Sequence, residues 1–109
     1  MGEIKQPDLH HEGPITAELC DELIGKLDGF GEQMPLDRSG FPDWDVCRNN
    51  WIDAASYAKR RLREVKRDLE SSRPMLPHYH GRIVDCALCV VRDFNAAKAL
   101  DFKNPDFRD

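Results

Sequence analysis

The chain has 109 residues, 40% of them hydrophobic and 33% charged, with a formal net charge of −4 and a sequence pI of about 5.5. That length supports one core and not two, and the composition is too apolar for a disordered chain. The acidic balance excludes a global attraction to nucleic acid or anionic membrane, and the longest apolar run, Cys86 to Val91, is far too short to span a bilayer.

Residues 1–14 hold two prolines, the pair His10-His11 and no periodicity, and read as an extended or mobile arm. Met1 opens a polar stretch without an apolar h-region. Gln6 stands where a myristoylation signal needs Ser or Thr, so a cytoplasmic chain is expected. Residues 15–103 form the expected single helical domain, and 104–109 an irregular tail, with Phe102 and Phe107 as candidates for docking onto the core.

A first helix follows Thr16, a suitable N-cap. Leu19, Cys20, Leu23, Ile24, Leu27 and Phe30 recur at helical spacing until Gly29 and Gly31 end the element. Residues 31–42, GEQMPLDRSGFP, form a loop that Met34, Leu36 and Phe41 would tack onto the core. A second helix opens at Asp43, a candidate cap. Its apolar stripe runs Trp44, Cys47, Trp51, Ala55, Ala58, Leu62, Val65 and Leu69, with Ala54 left out. Pro74 predicts its end near residue 72, giving a rod of roughly 40 Å, about twice the first helix. Pro74 and Pro77 bracket a tight turn into a third helix from about 80 to 101. The β-branched run there would also suit a strand, but a lone strand has no partner in this chain. The expected fold is therefore all-α. It is a small three-helix domain in which the second and third helices form a long antiparallel hairpin, and the shorter first helix packs across them.

The stretch HYHGRIVDCALCVV places His78, His80, Cys86 and Cys89 within twelve positions. These are the residue types that bind zinc, and they are the candidate metal ligands of this chain. The two pairs stand unusually close, since only residues 81–85 separate His80 from Cys86. A redox CxxC needs a strand leading into a helix, and a Cys-His nucleophile needs a cleft and an oxyanion hole. Neither is indicated, and no enzyme is expected. The simpler reading is helical. At about 100° per residue, Ile83, Val84, Ala87, Val90, Val91, Phe94 and Ala97 share one face. Cys86 then lies on its flank as a small hydrophobe, and Cys89 further round as the more exposed thiol. Cys20 and Cys47 fall inside apolar stripes, and His78 and His80 cap or flank the third helix.

The second helix also carries Lys59, Arg60, Arg61, Arg63, Lys66 and Arg67 around a single acid, Glu64. Lys59, Arg60, Arg63, Lys66 and Arg67 fill an arc of about 120° beside the buried stripe. Such an arc can meet an acidic protein surface or phosphates. It can also be a solvated face laced with intrahelical pairs such as Arg60–Glu64 and Lys66–Glu70. Trp44 and Trp51 lie one heptad apart and are core unless the short first helix leaves them uncovered, in which case they would anchor a partner. The C-terminal half of the second helix is expected to project with its basic arc.

Size, acidity and a lack of motifs are common among the proteins by which phages and mobile elements block a host machine, anti-CRISPR proteins among them. On composition alone, the leading expectation is a non-enzymatic protein-binding module, an inhibitor or adaptor with a protein partner of acidic surface. The partner-binding residues would be Lys59, Arg60, Arg63, Lys66, Arg67, Trp44 and Trp51, with no cofactor. The alternative is a small zinc-binding or nucleic-acid-associated protein using His78, His80, Cys86 and Cys89 or the arc of residues 59–67.

Overall fold

A computed structural model describes residues 9–38, 40–71 and 77–102, the side chains of Pro77 and His78 excepted. The turn around Pro74, the first eight residues and the tail with Phe107 lie outside the described residues. The described chain is all-α, with α1 at Ala17–Asp28, α2 at Trp44–Glu70 and α3 at Pro77–Ala99.

The caps explain the boundaries. Thr16 has extended backbone and its hydroxyl accepts a hydrogen bond from the Leu19 amide at 3.1 Å, which starts α1. Asp43 stands at the N-cap of α2, but its side chain makes no capping bond there. α3 begins three residues before the expected start because Pro77 is its first helical residue. At that position a missing N–H costs nothing and the fixed φ suits the helix. Between α1 and α2 the loop contains a 3-10 turn, Gly31–Gln33.

Interhelix contacts fix the topology. Asp68 near the end of α2 meets His80 near the start of α3, while Trp51 near the start of α2 meets Phe94 near the end of α3, so the hairpin is antiparallel. α1 also runs antiparallel to α2, because Asp21 reaches Lys66 and Asp28 reaches Lys59. The core lies where the three helices meet. Cys20, Leu23, Leu27 and Phe30 face Ala55, Ala58, Leu62 and Val65 of α2 and Val84, Ala87 and Phe94 of α3. Phe30 and Phe94 stack with ring centroids 3.7 Å apart, and Trp51 meets both edge-on.

The loop before α2 is bound on two sides. The Trp44 indole donates to the Pro35 carbonyl at 2.7 Å and Arg48 donates to the Gly31 carbonyl. Arg38 crosses to the Asp101 carboxylate and carbonyl, with its guanidinium over the rings of Phe41 and Trp44. Asp101 and Phe102 both take left-handed backbone, which ends the helical region and turns the Phe102 ring onto Trp44 and Phe94.

Candidate functional site

The structure divides the basic arc of α2 in two. Lys59 and Lys66 point toward α1, where Lys59 binds Asp28 at 2.5 Å and Lys66 binds Asp21 at 3.0 Å. The hydrogen bond from Lys59, and then its charge, hold the Asp28 carboxyl below the ordinary aspartate range. Asp21 holds the Lys66 ammonium above the ordinary lysine range in the same way. These two lysines therefore act as intramolecular staples between α1 and α2. α1 lies along the C-terminal half of α2, so that half does not project as expected.

Arg60, Arg63 and Arg67 remain exposed on the outer side of α2. The expected pair Arg60–Glu64 does not form: Arg61 takes Glu64 at 2.5 Å, while the Arg60 guanidinium sits 5.2 Å over the Tyr57 ring. The expected pair Lys66–Glu70 is replaced by Lys66–Asp21.

The two tryptophans belong to the interior. Trp44 is buried, with its N–H satisfied by Pro35, and Trp51 is half-buried against Phe30 and Phe94. Phe41 and Phe102 pack on Trp44, and Phe30 and Phe94 on Trp51, so the condition under which they would be left uncovered for a partner is not met.

Among the described metal candidates, His80 stands apart from the pair Cys86 and Cys89. His80 is buried and its Nε2 lies 2.8 Å from Asp68 Oδ2. The CxxC pair sits in the middle of α3 and not at a helix start, with Cys86 about 9 Å further along the axis than His80. The His78 side chain is outside the described residues. Among the described residues no three of His, Cys, Asp and Glu gather as a metal site. The two cysteines also exchange their expected roles: Cys86 is exposed and Cys89 half-buried. Burial raises the Cys86 thiol pKa while the neighbouring Arg82 guanidinium lowers it, with a net upward shift.

A groove lies between α2 and α3, with no α1 residue in its lining. It encloses about 340 Å³ and is lined by Ala54, Tyr57, Ala58 and Arg61 from α2 and by Tyr79, Arg82, Ile83, Cys86, Ala87 and Val90 from α3. Small residues make its floor, and Tyr57 and Tyr79 stand 58% and 54% exposed above it. In a chain of net charge −4, this lining contains two arginines and no acid. The exposed face with Arg60, Arg63 and Arg67 continues round α2 from the Tyr57 wall.

Tyr57, Tyr79 and Arg82 were not singled out in the sequence, and Ala54 was set aside from the stripe. The available signal was a second, narrower stripe, Ala54, Tyr57, Ala58 and Arg61, one step round the helix from the main one. Comparison with protein families, with curated proteins and with solved structures finds no match to this chain.

Proposed function

We propose that the protein is a non-enzymatic protein-binding module that engages its partner along the α2–α3 groove and the arginine face beside it. The groove itself carries this reading, because it joins an apolar floor to exposed tyrosines and to arginines without a lining acid. Tyrosine and arginine dominate the energetics of protein interfaces, and an apolar floor supplies the desolvated centre that such hot spots need. A nucleic-acid role would draw on Arg60, Arg63 and Arg67 but would have no use for that floor.

A narrower form of the reading is an inhibitor from a phage or mobile element that blocks a host machine by contact, in the manner of anti-CRISPR proteins. It rests on size and composition alone, and a cytoplasmic setting belongs to it. The test is a photocrosslinking residue in place of Tyr57, activated in the source cell, with an equivalent residue at exposed Glu22 on α1 as control. One dominant protein adduct from position 57, absent from position 22, is expected. Nucleic-acid adducts, or the same adducts from both positions, would overturn the proposal.

A further inference from the structure

We infer that the α2–α3 groove receives an amphipathic helix with acidic flanks, seated where a fourth helix would complete the bundle; this rests on the protein-binding reading above. The register of the hairpin sets out the groove. With Asp68 level with His80 and Trp51 level with Phe94, Tyr57 falls near Val90 at one end and Tyr79 lies by the hairpin at the other. Arg61 and Arg82 stand between them on opposite walls. From Tyr79 to Val90 the groove extends about 16 Å, the length of roughly three helical turns.

The floor selects the shape of the occupant. Ala54 and Ala58, one turn apart on α2, face Ala87 and Cys86 on α3, and small side chains allow a third helix backbone to come close. An apolar stripe at i, i+3, i+4 and i+7 would fill such a floor. A peptide that binds by strand addition would instead need a sheet edge, and there is none among the described residues.

The walls select the charge. A helix lying between Arg61 and Arg82 presents one flank to each. Arg82 is exposed and Arg61 shares its charge with Glu64 at 2.5 Å, so a carboxylate facing Arg82 is the stronger complement and one facing Arg61 the weaker. Charge also argues against a second copy of this chain. A two-fold groove-to-groove contact would set the Arg61 and Arg82 of one copy against the same arginines of the other.

The test is selection on the immobilised full chain from a displayed library of helical peptides of about 15 residues, randomised at every surface position. Enriched peptides are expected to combine an apolar stripe with Asp or Glu on both flanks. Their binding should weaken by about tenfold or more in Arg82→Glu, whose target is exposed, and by less in Arg61→Glu, with the helical circular dichroism unchanged. Amide exchange should slow along Ala54–Arg61 and Tyr79–Val90. Basic or unpatterned winners, winners indifferent to both reversals, or no winners would overturn the inference. So would a dimer in sedimentation velocity that Tyr57→Glu dissociates, which would assign the groove to a second copy. If the Tyr57 crosslink captures a protein through a basic or non-helical segment, this inference fails and the protein-binding reading stands. If it captures no protein, both fail.

Discussion

Asp68 and His80 face each other across the base of the helix hairpin, with Oδ2 and Nε2 2.8 Å apart and both residues buried. The contact joins the last turns of α2 to the first turn of α3 and so sets the level of one helix against the other. A buried polar group stripped of its partner carries its full desolvation cost, which exceeds what the bond contributes net. Asp68→Ala leaves the buried His80 nitrogen without this partner and should destabilise the fold by about 1–3 kcal/mol. Asp68→Asn keeps an acceptor in place and should cost less. Urea unfolding followed by circular dichroism measures both, and equal midpoints for wild type and Asp68→Ala would mean that the pair sets no register.

The stacked rings of Phe30 and Phe94, 3.7 Å apart and both buried, sit where α1, α3 and Trp51 converge. Phe94→Ala removes a ring that touches Phe30, Trp51 and Phe102 and should cost about 3–5 kcal/mol. Phe94→Leu leaves a smaller void and should fall well short of that. Thermal unfolding of the two variants checks the order.

Much of this core was legible in the sequence, because period alone shows which residues of a helix face inward. Leu23, Leu27, Leu62, Val65, Val84 and Phe94 fall on the expected stripes and are buried. What periodicity cannot show is which neighbour lies beside each flank. Lys59 and Lys66 sit in the same basic arc as Arg60 and Arg63, yet α1 brings Asp28 and Asp21 to the lysines and leaves the arginines in solvent. Ala54 was omitted from the stripe for the same reason, since its role depends on Ala87 and Cys86 approaching from α3. Cys86 and Cys89 exchanged their expected exposure because the width of the contact between α2 and α3, and not the helical period, decides where a flank ends.

The thiols give a direct check on that exchange. Alkylation of the native protein should reach Cys86 first, then Cys47 and Cys89, which are half-buried, and Cys20 last. Cys20 is buried, and its thiol is raised chiefly by that burial, then by Asp21, against a lowering by Lys66. Cys86 is accessible but not activated, since its thiol is also raised. Its rate should therefore be slower than that of an unperturbed thiol at neutral pH and climb as the solution becomes alkaline. Mass mapping that finds Cys89 fastest would reverse the assigned orientation of α3.

The lysine staples predict where pH loosens α1. The Asp28 carboxyl titrates below its unfolded value, so the stability it adds is present above the ordinary aspartate range and fades as acid takes the pH below it. The Lys66 ammonium titrates above its unfolded value, so its contribution is complete through neutral pH and fades only on the alkaline side of the ordinary lysine range. Between those limits neither staple should vary. Because these groups are at the surface, salt should weaken both. Asp28→Asn should flatten the acid limb of a stability–pH curve, and Lys66→Met the alkaline limb. A curve that falls steeply between pH 5 and 9 and is untouched by either variant would show that other groups govern α1 docking.

Reversing the two kinds of basic residue should separate architecture from recognition. Arg60, Arg63 and Arg67 are exposed and form none of the α1–α2 ion pairs, although the Arg63 charge adds a little to the lowering of the Asp28 carboxyl. The melting temperature of their triple change to Glu should stay close to that of the wild type, since exposed charges contribute little to stability. Changing Lys59 and Lys66 to Glu instead sets carboxylate against carboxylate at Asp28 and Asp21 and should lower the melting temperature more than the triple change does. The order should invert for the partner captured through Tyr57, once identified. The arginine triple should weaken that complex, chiefly by slowing association at low salt, while the lysine double should affect it only as far as the fold loosens. Full-strength binding by the triple would reduce the arginine face to solvated charge and leave the groove residues Arg61 and Arg82 as the only basic contacts to the partner.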